Sequence, residues 1–311
     1  MRLRKDFGVV VLLALVTWEA LGQESSAPSP QASVPSATAT ESSKTTSPET
    51  GTLSQDEIRE LIRTAAEHDM DNDKKSRDYT YILQEQRQKL DGSREPESKT
   101  YEVMTLYDEQ VRRLITKNGQ PLTGKDAAKE EEKIQHFIDK RKKESEDDRR
   151  KRLDKQEKER EKARQFVREV SEAYNFRLVG MEEREGREDY VIDAEPRPGF
   201  QPHSREARVL SKFRFRVWID KSQEQWVKLD AQSIDTVSFG WFLARLRKGA
   251  RVLIEQTYVN DDVWLPRHVN VTFDARLGLL KRFNENIDAN FRDYKKFRAD
   301  AKIVPPKEVG P

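Results

Sequence analysis

Between Phe176 and Phe291 seven stretches alternate apolar with polar residues over strand lengths: "FRLVGMEEREG", "REDYVIDAEP", "RVLSKFRFRVWIDK", "QWVKLDAQSI", "ARVLIEQTYVN", "DVWLPRHVNVTFDA" and "LGLLKRFNENIDANF". Period-two alternation gives each strand one dry and one wet face, and hairpin-length connections such as Glu185-Gly186 and Asp261-Asp262 make neighbours antiparallel. A sheet this wide has to curl to shield its apolar face. In "KFRFRVWIDK", Phe213, Phe215, Val217 and Ile219 fall on one parity and Arg214, Arg216, Trp218 and Asp220 on the other. The first set is expected to face the concave interior and the arginines to face water. A membrane barrel is disfavoured, because most of these strands carry frequent charges on their second face.

Ahead of the series, "LSQDEIRELIRTAAEH" reads as a helix. Ser54 and Glu57 form a capping box, and Ile58, Leu61, Ile62 and Ala65 make one apolar stripe. "YTYILQEQRQKLDG" and "SKTYEVMTLYDEQVRRLITKNGQPL" read as two or three strands, with Asn118-Gly119 as a tight turn. Residues 125–174 then contain neither Gly nor Pro and are expected to be helical. Apolar residues with helical spacing stand at both ends, at Ile134, Phe137 and Ile138 and again at Phe166, Val167, Val170 and Tyr174, while the middle has Leu153 alone. Acid-first pairs four apart, such as Asp147/Lys151 and Asp154/Lys158, support such a helix. A helix polar all round has no face to bury, so Lys142 to Lys162 is expected to project into water, as a spoke or a helical hairpin. Its acids nearly match its bases, which argues against a nucleic-acid arm, and it lacks the apolar seam of a coiled coil.

One more helix is expected inside the strand series, at "SFGWFLARLRKGA". Ser238 can cap it, Trp241, Phe242 and Leu246 share a face, and Gly249 ends it. It reads either as a plug filling the curled sheet or as a lid over an apolar site.

The chain opens with "MRLRK", an apolar run and small residues at Ala20 and Gly22, a pattern of secretory export with cleavage expected after Gly22. A signal anchor is the competing reading. Residues 23–52 are mostly Ser, Thr, Pro, Ala and Glu, a composition expected of a disordered linker. The chain has no cysteine, so it is neither a disulfide scaffold nor acylated on a cysteine behind its leader. A net charge of +2 demands no polyanionic partner. The mature protein is expected to be soluble, in the periplasm or otherwise exported.

Signs of catalysis are few. His68, His136, His203 and His268 stand in unrelated contexts, and neither an H-x-x-x-H pair nor G-x-S-x-G occurs. The sequon at Asn270-Val271-Thr272 falls inside an expected strand. No cofactor is implied.

The order helix, strands, helical segment and strands, with "VWIDK", "WVKLDA" and "DDVWLPRHVNV", resembles the lipoprotein-sorting carrier superfamily of the periplasm, LolA and LolB-like, with related sigma-factor regulators of the envelope. The resemblance runs over roughly residues 54–300 and implies an α+β fold: a curled antiparallel sheet, or unclosed β-barrel, with helices over its concave face. The long charged helical insertion at 125–174 departs from that pattern. Together with the leader at 1–22 and the linker at 23–52 read from the sequence pattern, the expected domain plan adds a half-barrel at 53–300 that contains the helical insertion 125–174, and a tail at 301–311. The implied function is non-enzymatic binding of a lipid or lipoprotein acyl chain inside the sheet, with no functional residue carried over from the family. The residues expected to line such a site come from the patterning alone: Phe213, Phe215 and Val217 by strand alternation, and Trp241, Phe242 and Leu246 as one face of the expected helix. The alternative is a structural or interaction protein with a filled core, touching another envelope protein through the charged helix. Nucleic acid is not an expected partner.

Overall fold

In the computed structural model the described residues are 53–107, 109–204, 206–239, 244–278 and 281–297. The leader, linker and tail expected from the sequence, together with Trp241 and Phe242, lie outside them.

The described residues begin with helix α1, Gln55–Ser76, whose capping box is formed as the sequence indicates: Glu57 N donates to Ser54 Oγ at 3.3 Å and Ser54 N donates to Glu57 Oε2 at 2.7 Å. Strands β1 (Tyr79–Lys89), β2 (Glu97–Leu106), β3 (Glu109–Lys117) and the short β4 (Gln120–Pro121) follow as a meander. The charged segment forms two helices, α2 (Gly124–Lys142) and α3 (Glu146–Ala173). After it come β5 (Tyr174–Arg184), β6 (Arg187–Pro196), a 3-10 helix (Glu206–Lys212), β7 (Phe213–Asp220) and β8 (Gln225–Ser233). The described residues close with β9 (Val237–Phe239), β10 (Ala244–Leu246), β11 (Arg251–Val259), β12 (Val263–Leu277) and β13 (Lys281–Lys296).

The strands form one open antiparallel sheet in the order β4-β3-β2-β1-β13-β12-β11-β8-β7-β6-β5. β1 pairs with β13, so the N-terminal meander extends the sheet at the last described strand. Alternation in β7 places Phe213, Val217 and Ile219 in the core, leaves Phe215 half-buried, and exposes Arg214 and Arg216. Two apolar clusters are continuous across the sheet, with Val209, Trp226 and Leu229 packed against both. Trp218 and Asp220 are buried as well. Trp218 packs with Val191, Val227 and Trp264 in a separate cluster and donates to Glu182 at 2.7 Å. Asp220 accepts from the backbone of Ser222 and Gln223, closing the turn into β8.

Two sequence expectations are corrected. The helix expected at 238–250 is replaced over its described residues by β9 and β10, with Ala244 opposite Phe239 and Leu277, and Leu246 opposite Val237 and Ala275. A helix of two or three turns is marginal alone, whereas β12 offers this segment a ready ladder and room to bury Val237 and Leu246. The second correction concerns the charged segment. Residues 145–151 are exposed as expected, but Glu144 and Arg152 are not, because the chain bends at an elbow between α2 and α3. There Arg141, its side chain 2% exposed, meets Glu109 of β3 at 2.6 Å and Glu144 at 3.1 Å, while Arg152 meets Glu144 at 2.9 Å. Charge pairing supplies the anchorage that apolar residues lack there. Ser145 caps α3, accepting from Asp148 N at 3.2 Å, and three acids fill the first turn, which favours a new helix start at that point.

Candidate functional site

The candidate site lies between the sheet and its two covering helices. β7 supplies Phe213, Phe215, Val217 and Ile219, and β8 supplies Trp226, Leu229 and Ala231. α1 lies over them with Ile62, Ala65, Ala66, Asp69 and Met70, and α3 with Ala163, Phe166, Val167 and Val170. Together they bound a cavity of about 330 Å³, within the range of small-molecule sites. The helices contribute small side chains at Ala65, Ala66 and Ala163 to the same lining as the bulky ones on the strands.

The wall is held in place by specific contacts. Phe215 meets the Tyr174 ring edge-on with centroids 4.8 Å apart, and Phe176 at 6.4 Å. Tyr174 donates its hydroxyl to Leu210 O at 2.8 Å, and burial raises its pKa. α1 is tied to the sheet at both ends. Gln55 Nε2 donates to Phe176 O at 2.6 Å, Asn72 Nδ2 donates to Gln225 Oε1 at 2.8 Å, and Trp264 N donates to Asn72 Oδ1 at 3.3 Å.

A second, smaller cavity of about 50 Å³ adjoins the first, and Asp69, Asp73 and Trp226 line both. Its own lining is more polar and includes Asn72, Gln256, Tyr81 and Tyr294. Asp69 is half-buried and accepts from Gln256 Nε2 at 3.3 Å. Desolvation pushes the Asp69 carboxyl up to about 7; donors on Gln256, Trp226 and Gln225 offset this in part, and the nearby Asp73 charge adds to it. Burial likewise raises Tyr81 to about 12.

Of the six residues expected at the site, Phe213, Phe215 and Val217 line the larger cavity. Leu246 is buried in the neighbouring cluster with Val237 and does not line it. Trp241 and Phe242 lie outside the described residues. Sequence reasoning missed the helical side of the site. One signal was present: the apolar stripe Ile58, Ile62 and Ala65 continues at helical spacing to Asp69 and Asn72, which places polar groups on a buried face. Nothing comparable pointed to Gln256. Among the described residues no group of histidine and acidic side chains is arranged to hold a metal ion.

No protein-family model matches the sequence, and no curated protein matches it. Solved structures do. A DUF1329 family protein from Desulfovibrio piger is 12% identical with a TM-score of 0.29, over 77% of this chain and 92% of that one. A putative outer membrane lipoprotein-sorting protein domain from Vibrio parahaemolyticus is 11% identical with a TM-score of 0.29, over 78% and 95%. A LolA superfamily protein from Nitrosomonas europaea is 10% identical with a TM-score of 0.27, over 77% and 93%.

Proposed function

We propose that this chain is an exported, non-enzymatic carrier or sensor that binds a single apolar chain, of the kind found in lipids and acylated proteins, between its curled sheet and the helices α1 and α3. The observation that supports this reading is the larger cavity, walled by Phe213, Phe215 and Val217 and roofed by Ala66, Ala163 and Val170. Burying a chain there is worth about 0.8 kcal/mol per methylene. Cavities of this kind are uncommon in a close-packed interior, where unfilled apolar space forfeits dispersion contacts. The basic and apolar start of the chain supports export. Among the described residues no helix is long and apolar enough to cross a membrane.

The test is binding of phenylnaphthylamine, an uncharged fluorescent probe that brightens in apolar surroundings, to the native protein and to Ala66→Phe and Ala163→Phe. Both positions line the cavity and are half-buried, so the new rings have the cavity to occupy. Each substitution is expected to weaken probe binding by about tenfold, equivalent to about 1.4 kcal/mol, with melting temperature held or raised. Failure of the native protein to bind the probe overturns the proposal. Undiminished binding by both variants overturns this location for it.

A further inference from the structure

The two cavities meet at Asp69, and the polar one carries features that the apolar-chain reading leaves unused. Gln256 is 4% exposed and lines the smaller cavity. Its Nε2 donates to Asp69, but its Oε1 has no hydrogen-bond partner, and a buried acceptor left unpaired costs about 1–3 kcal/mol. Asp69 is likewise an acceptor without a cation: among the described residues no lysine or arginine pairs with it. Its like-charged neighbour Asp73 is taken up by Arg77 at 2.8 Å. The groups that face Asp69 from the sheet, Gln225, Trp226 and Gln256, are uncharged. Tyr81 and Tyr294, across the smaller cavity, are held in their neutral forms by burial.

The basic residues lining the larger cavity have carboxylate partners. Arg160 meets Glu157 at 3.2 Å, Arg164 meets Glu157 at 3.1 Å and Glu161 at 3.0 Å, and Lys74 meets Asp71 at 2.8 Å. The acidic Glu67 at the same cavity meets Arg63 at 2.7 Å. The polar end of the site therefore offers acceptors in need of a donor, and no cation in need of an anion.

Resting on the proposed binding of an apolar chain, we infer that the chain carries a cationic amine head group, which sits in the smaller cavity between the Asp69 carboxylate and Gln256 Oε1. An alkylammonium has three N–H donors and no acceptor, matching both oxygens at once. The smaller cavity, at about 50 Å³, has room for such a head group, since about 10–15 Å³ holds one water-sized atom. A carboxylate head group at the same place would bring a second negative charge to a poorly solvated acid.

The experiment displaces bound phenylnaphthylamine with dodecylamine, dodecanol and dodecanoate, which share one chain and differ in head group. The amine is expected to compete at least about tenfold better than the alcohol, and the carboxylate worst. The amine's advantage should grow between about pH 5.5 and about pH 8.5 as Asp69 ionises, because the amine stays protonated throughout. In Asp69→Asn the ratio of amine to alcohol affinity is expected to fall to near one. Gln256→Met, which keeps length and removes the acceptor, should lower that ratio in part. Equal competition by amine and carboxylate, or an amine preference that survives Asp69→Asn with the probe still bound, overturns the inference and leaves the apolar site standing. Absence of probe binding by the native protein overturns the apolar site itself.

Discussion

The two helices over the cavity are held by different means. α1 buries Ile58, Leu61, Ile62 and Ala65 along its first half and fixes its second half through Asn72, so it is anchored along most of its length. In α3 the buried residues, Phe166, Val167, Glu169 and Ala173, all fall in its C-terminal part, and its N-terminal part depends on the charged elbow. Its middle carries exposed Leu153 and a set of solvated ion pairs that contribute little each. One roof helix is packed down by apolar burial; the other is suspended between two attachment points.

The largest expected effect separates the two kinds of attachment. Ile58→Ala, at a site 1% exposed, should cost about 2–5 kcal/mol in chemical denaturation, whereas Leu153→Ala should stay within about 0.5 kcal/mol. Similar costs at the two positions would end the distinction. Next in size is the elbow: Arg141→Ala leaves Glu109 and Glu144 to share Arg152 as their remaining cation in a nearly dry site and should destabilise by about 2 kcal/mol. Hydrogen exchange should show the opening concentrated in α2 and the start of α3, with α1 protected.

A smaller effect concerns pH. Asp69 keeps its proton up to about 7 in the folded chain and loses it in the ordinary carboxylate range when unfolded. The folded state thus binds more protons in between, and this group's contribution to stability declines as pH rises from about 4 to about 7, then stays level. Asp193 and Asp274, lowered first of all by hydrogen bonds from Arg216 and Arg282, act in the opposite sense and lose their contribution as pH falls. The difference between native protein and Asp69→Asn isolates Asp69, and a difference in melting temperature that does not change over that interval would contradict its assigned environment. The smallest effect is at the start of α1, where Ser54→Ala removes the capping box and should cost about 1 kcal/mol. If Ser145→Ala, at the start of α3, proves as costly, local capping matters more to the suspended helix than its elbow does.

Much of the fold was legible because it rests on local periodicity. The capping box at Ser54 and Glu57, the alternation of Phe213, Phe215 and Val217, and the turn at Asn118-Gly119 are each readable from a few neighbouring residues. Leu246 was misjudged for the converse reason. The segment around it has residues compatible with a helical face, and the partner that makes it a strand, Ala275 of β12, lies far along the chain. The elbow was missed because nothing near Arg141 in sequence indicates that Glu109 of β3 will stand beside it.

By itself the sequence determined the curled antiparallel sheet, its dry face, the helical character of the charged segment and the shared parity of Phe213, Phe215 and Val217 on one wall, because alternation and helical spacing depend on short-range backbone geometry. Only the tertiary structure decided that α1 and α3 roof that wall, that Ala66 and Ala163 line the space between, and that Asp69 and Gln256 meet where two cavities join. Those two residues lie on α1 and β11, far apart in the chain, and their shared desolvation exists only once the sheet has curled and the helix has been laid across it.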